Sequence, residues 1–184
     1  LSWGLTGAPY YATDVGGFYG DQRDPLLYVR WAQASVFSAH MRLHGIGARE
    51  PWSYGPEAER AAMAALELRY RLLPYLWRAV EQASATGLPV QRAMALACPG
   101  EPAAWAFEHQ FFCGADLLVA PCLDPCGRVR IYLPEGDWCR FPAGGHFAGG
   151  RTHELVLPLD ELAVFARRGT AIPPGPPVRH TGEH

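Results

Sequence analysis

A chain of 184 residues, 49% hydrophobic and 12% aromatic, can bury the core of one or two domains. Its 16 basic residues, all arginine, nearly balance 18 acidic ones for a net charge of -2. That balance excludes an electrostatic case for nucleic acid or an anionic membrane as partner and leaves a neutral or weakly charged ligand.

No stretch approaches the roughly 20 apolar residues of a membrane span. The first residue is Leu1, with no basic n-region or apolar h-region behind it, so the chain is expected to open inside a longer sequence. Residues 1–7 read as the end of a helix and its turn, and residues 10–12 as a short buried strand. Asp14 then stands at that strand's exit, before Gly16-Gly17 lets the backbone turn sharply. Two readings apply to it: a ligand contact at the carboxyl end of a parallel strand, or a turn-forming Asp that caps a nearby amide. Asp24 is the predicted N-cap of a helix with Pro25 at its first position, running to about Ser38 with Leu26, Val29, Arg30, Gln33 and Phe37 at helical spacing. Residues 41–45 read as a second strand, ending in His44 and Gly45. A right-handed crossover makes the two strands parallel neighbours, so Asp14 and His44 are expected on one rim. His44 is either a structural hydrogen-bonder or a ligand contact. Trp52, in the following loop, is either core or a platform for a sugar. A long helix is predicted over residues 57–84, kinked or interrupted by Pro74 and ended at Gly87.

Beyond Gly87 the period shortens. Residues 89–97, 117–122, 129–133, 138–141, 152–157 and 162–167 are short runs separated by Gly, Pro and Asp turns, the pattern of an antiparallel β-sandwich, with a helical turn or two within 101–111. Five cysteines cannot all pair within one chain, so a reducing compartment, cytoplasmic, is the simpler expectation. Cys122 and Cys126 offer two thiols, but no second pair with zinc-like spacing follows and His146 and His153 are not grouped with them, so no metal is expected. The Pro-rich segment from residue 173 has linker composition and is expected to be loosely held.

Several motifs in one order carry a resemblance. They are Thr13-Asp14-Val15-Gly16-Gly17-Phe18, Arg30-Trp31, Met41-Arg42-Leu43-His44-Gly45, Arg49-Glu50-Pro51-Trp52 and Arg69-Tyr70-Arg71-Leu72-Leu73-Pro74-Tyr75-Leu76. Pro89-Val90-Gln91-Arg92-Ala93-Met94, Gly114-Ala115-Asp116-Leu117-Leu118-Val119-Ala120-Pro121, Tyr132-Leu133-Pro134-Glu135-Gly136-Asp137-Trp138 and Phe165-Ala166-Arg167-Arg168-Gly169 follow. Together they resemble the retaining α-glycosidases of glycoside hydrolase family 31, which include α-glucosidases and α-xylosidases.

The resemblance implies an α/β plus all-β fragment. Residues 1–87 correspond to the last two βα units of a (β/α)8 TIM barrel, 88–172 to the antiparallel β-sandwich domain that follows it, and 173–184 to a tail. It implies that Asp14, Phe18 and His44 bind the terminal sugar of an α-linked oligosaccharide or glycoside, without metal or organic cofactor. A retaining glycosidase needs two carboxylates about 5 Å apart. The family's nucleophile, and its acid/base Asp in a Trp-x-Gly-Asp motif, lie before the segment that opens this chain, so no catalytic residue is expected here. Asp14 falls to the pocket wall, and Asp116 and Asp137 to turns and packing. The run from Arg42 to Trp52 leans toward the α-xylosidase-like branch. The alternative is a non-catalytic sugar-binding or structural remnant of such an enzyme. Two strands of a barrel cannot close it, so the first half is expected to present an open edge and to fray or aggregate.

Overall fold

Asp24 starts the first long element by giving the free amides of a helix end an acceptor. Its carboxylate accepts the Leu27 amide at 3.1 Å and Pro25 takes the first helical position, opening α2 (Pro25–Ser35) as predicted. Among the described residues, one short helix, α1 (Ser2–Leu5), precedes it. A computed structural model of the chain describes residues 1–20, 24–172, 175, 176, 178, 180 and 181. Helix α2 stops short of Ser38, and a guanidinium takes the carbonyls of the segment that follows it. Arg69 donates to Val36 O at 2.7 Å, Ser38 O at 2.8 Å and Ala39 O at 3.1 Å.

Arg69 belongs to α3 (Pro56–Thr86), a helix of 31 residues that passes through Pro74 without interruption. Of the predicted kink or interruption, the interruption is absent, because the residues on either side, Leu72, Tyr75, Leu76 and Ala79, are buried in one core while Pro74 faces solvent. Tertiary burial here outweighs the roughly 3 kcal/mol that an interior proline costs. Gly87, at φ 76°, ends the helix in the left-handed region, its amide donating to Ala83 O at 2.9 Å.

The two predicted strands of the first half reduce to one parallel bridge, Asp14 to Arg42, where the Val15 amide donates to Arg42 O at 3.0 Å. Gly16 and Gly17, at φ 86° and 82°, turn the chain away directly after Val15, so no ladder continues. The apolar side chains around the bridge are buried by helices. Val15, Tyr28, Val29, Ala32, Tyr54, Ala58, Ala61 and Ala62 form one cluster.

After Gly87 every strand pairing is antiparallel. The strands are β1 (Gln91–Ala93), β2 (Phe111–Cys113), β3 (Leu117–Ala120), β4 (Arg128–Leu133), β5 (Asp137–Arg140), β6 (Gly144–Ala148), β7 (Arg151–Val156) and β8 (Ala163–Arg167). One sheet has the order β1-β2-β3-β8-β5-β6, and β4 pairs with β7 apart from it. The segment predicted as one strand over 89–97 yields β1 and then a short helix, α4 (Met94–Ala97); α5 (Pro102–Trp105) is the expected helical turn. Strands β2 and β6 were not anticipated. The first is three residues at the edge of a segment read as helical, and the second is a largely exposed run containing Gly144 and Gly145.

Side chains alternate across a strand, and both faces of the larger sheet are covered. Leu118, Phe112, Trp138 and Phe165 pack against Ile131 and Leu133 of β4. Phe111, Leu117, Val119 and Val164 pack instead against Leu72, Tyr75 and Leu76 of α3, together with Val36 and Phe37. Burial on both sides explains why these strands read as continuous apolar runs. Ile172 is buried in the same core, and the Gly175 amide donates to Arg71 O at 2.7 Å. The predicted linker at residues 173, 174, 177, 179 and 182–184 lies outside the described residues.

Candidate substrate-binding site

The parallel bridge sets two segments side by side, and both leave it in the same direction. The carboxylate of Asp14 pairs with Nε of Arg42; the Asp14 side chain is 17% exposed and that of Arg42 61%. Helix α2 holds the residue before Asp14, since the Trp31 indole donates to Thr13 Oγ1 at 2.8 Å and Ser35 Oγ lies 3.3 Å from the same atom. Past the Gly16-Gly17 turn the Phe18 ring meets the His44 ring, centroids 5.3 Å apart and tilted by 50°. The Ile46 amide donates to Phe18 O at 2.9 Å, locking the two loops together. The structure therefore brings Phe18 and His44 into ring contact and puts Asp14 on the bridged segment that leads to them. His44 is exposed and Phe18 half-buried, so this rim is open to a ligand.

Trp52 is 66% exposed on a 3-10 helix (Pro51–Tyr54), which removes its core reading. The inward face of that helix is Tyr54, stacked on Tyr28 with centroids 3.8 Å apart. Burial pushes the Tyr28 hydroxyl well above its ordinary value, with smaller contributions from Tyr54 and Glu50. Tyr28 Oη donates to Arg49 O at 2.8 Å and is a structural tie, not an acid.

Asp116 and Asp137 belong to the antiparallel part. The Asp116 amide donates to Tyr75 Oη at 3.2 Å, and the Asp137 carboxylate meets His146 Nε2 at 2.8 Å. Cys122 is buried, with Sγ donating to Asp124 O at 3.5 Å, while Cys126 is exposed; among the described residues no three His, Cys, Asp or Glu side chains converge. A groove of about 400 Å³ lies between α2 and the loop after β3, walled by Leu26, Leu27, Trp31, Leu123 and Pro125, and none of Asp14, Phe18 or His44 lines it.

Two family models match the chain in tandem: the glycosyl hydrolases family 31 TIM-barrel domain over residues 1–79 and the glycosyl hydrolase family 31 C-terminal domain over residues 87–172. The chain belongs to glycoside hydrolase family 31. Among family 31 relatives, alpha-glucosidase 2 of Bacillus thermoamyloliquefaciens is 33% identical over 185 residues, 98% of this chain and 23% of that protein. The alpha-xylosidase of Saccharolobus solfataricus is 30% identical over 180 residues, 94% of this chain and 25% of that protein. A family 31 alpha-xylosidase from a soil metagenome, solved with xylose, superposes with a TM-score of 0.87 at 34% identity over 94% of this chain and 29% of that one. The family 31 dextranase of Flavobacterium johnsoniae, solved with glucose, gives 0.86 at 36% identity over 92% and 22%. The chain thus spans about a quarter or less of the length of these curated relatives.

Sequence reasoning gave no role to Arg42 or Arg49 of this family 31 chain, although both stand in motifs that carried the resemblance. Their partners are not local: Asp14 for Arg42, and the Gly17 and Gly20 carbonyls for Arg49. For Arg49, which is 2% exposed, the available signal was a cation in a run bounded by glycine and proline, since a buried charge persists only when paired or hydrogen-bonded.

Proposed function

We propose that the chain is the C-terminal part of a retaining exo-α-glycosidase that removes terminal α-linked glucose or xylose. In this reading residues 1–87 supply the last two βα units of a (β/α)8 barrel, 88–172 the β-sandwich after it, and 173–184 a tail. Asp14, Phe18 and His44 line the pocket for the terminal sugar, with α-linked oligosaccharides or glycosides as ligands. The nucleophile and the acid/base come from polypeptide outside these 184 residues. The observation that carries the reading is that one parallel bridge joins the segments bearing these residues, with Asp14 beside Arg42 and the Phe18 ring 5.3 Å from that of His44. Support comes also from the xylose and glucose held by the structural relatives, and from the fraction of the relatives' length that this chain spans.

The chemistry follows from the groups present. Double displacement needs one carboxylate to attack the anomeric carbon and a second, about 5 Å away, to protonate the leaving oxygen. The Asp14 carboxylate is engaged by Arg42, an arrangement that accepts hydrogen bonds from sugar hydroxyls. The His44 imidazole adds a second hydroxyl partner, and the Phe18 ring an apolar wall for the sugar's C–H face.

The purified chain is expected to release no nitrophenolate from p-nitrophenyl α-D-glucoside or α-D-xyloside. Turnover that disappears in Asp14→Asn would move the catalytic acid into this chain and overturn the assignment. In an intact enzyme carrying this segment, His44→Ala is expected to lower kcat/KM about tenfold or more, because hydroxyl contacts strengthen in the transition state. An unchanged value would return His44 to a structural role.

A further inference from the structure

Arg49 is 2% exposed, and its guanidinium spends its donors on backbone oxygens of two loops. Nε donates to Gly17 O at 2.7 Å, Nη2 to Gly20 O at 2.7 Å and Nη1 to Ala48 O at 2.9 Å. The two glycines that flank the rim make room for it. A Cβ on Gly45 would sit 2.9 Å from Arg49 Nε and 2.8 Å from Gly17 O; one on Gly16 would sit 2.8 Å from Arg49 Cδ. The main chain of Arg49 is itself held, through its carbonyl, by the Tyr28 hydroxyl from α2 at 2.8 Å. A rigid element thus fixes Arg49, and Arg49 fixes the loop that carries Phe18.

We infer that Arg49 is a positioning residue for the sugar-binding rim: its planar fork sets the Phe18 loop against the His44 loop and so sets the spacing of the two rings. The inference rests on the reading that Phe18 and His44 contact the sugar. Lysine cannot replace it, because an ammonium is a point charge on a flexible stem and does not present a fork to carbonyls from separate loops.

Amide exchange and ring-proton shifts in the 184-residue chain test this, using Arg49→Lys and, in case that variant fails to fold, Arg49→Gln. The Ile46 amide, which donates to Phe18 O, is expected to exchange at least about tenfold faster in either variant, while the Ala32 and Leu118 amides change by less than about threefold. The His44 ring protons should lose the ring-current shift imposed by Phe18. An Ile46 amide that is unaffected, or already unprotected before substitution, overturns the inference. So does acceleration of all three amides together, which would make Arg49 a general stabiliser. Titration with xylose separates this from the sugar reading. His44 resonances that move in the unaltered chain but not in Arg49→Lys support both. Resonances that never move count against the sugar assignment and leave the exchange result standing.

Discussion

Arg30 shows how much one side chain of this fold carries. It is 9% exposed on α2, and it donates to Leu157 O and Pro158 O at 3.1 Å, Glu161 O at 3.0 Å and Leu159 O at 3.5 Å. Its neighbour one turn on, Gln33, adds a bond to Leu159 O at 2.6 Å and accepts from Arg30 itself at 3.0 Å. Hydrogen bonds to a charged donor are each stronger than neutral ones, and a buried acceptor left alone pays its desolvation in full. Arg30→Met, which keeps most of the volume, is therefore expected to cost about 3 kcal/mol, read as a lower urea midpoint at constant m. A loss below about 1 kcal/mol would mean that water serves those carbonyls equally well. Helical spacing set Arg30 in one series with Val29 and Gln33, but it gave no sign of the acceptors, which lie 127 to 131 residues away. Arg42 was hidden for the same reason, its partner Asp14 being 28 residues distant. The turn after Asp14 was legible because Gly16 and Gly17, which take φ 86° and 82°, are written beside it.

At the scale of elements, caps were readable and interruptions were not. Asp24, Pro25 and Gly87 act within one helical turn, so their chemistry is local and the ends they mark are close to those observed. Pro74 leaves α3 uninterrupted because packing on both sides decides the matter, and the Asp14 strand failed because a ladder depends on neighbours that a local pattern does not contain. Gly87 offers a test without steric ambiguity. It sits at φ 76° with no heavy atom within 4 Å of where a Cβ would be. Gly87→Ala is therefore expected to cost about 1 kcal/mol, purely as left-handed strain, and Gly87→Asn less. For a chain of this size that is a fall in Tm of about 2–4 °C. An unchanged Tm would mean that the helix end unwinds by a turn to relieve the strain.

Across the whole molecule, the two parts matched by different family models share one core. Val36 and Phe37 after α2, and Leu72, Tyr75, Leu76, Ala79 and Ala83 of α3, lie in the same buried cluster as Phe111, Leu117, Val119, Val164 and Ala166 of the sheet. Arg30 crosses the same divide by hydrogen bonds. The first part cannot open without exposing one face of the sheet, so the frayed first half expected from an unclosed barrel is opposed by this burial. Large apolar side chains nevertheless remain exposed there, among them Trp3, Leu5, Tyr11, Tyr19, Ile46 and Trp52, so the barrel side is where association between copies should begin. We therefore expect a single cooperative thermal transition at low protein concentration, with far-ultraviolet dichroism, dominated by α2 and α3, coinciding with the near-ultraviolet signal of fully buried Trp138 in β5. Leu72→Ala, at a fully buried position on the sheet-facing side of α3, should lower both signals together by about 2–5 kcal/mol. Loss of helix at a temperature where Trp138 keeps its environment would show instead that the sheet folds alone. The shared cluster would then be a contact between two independent units.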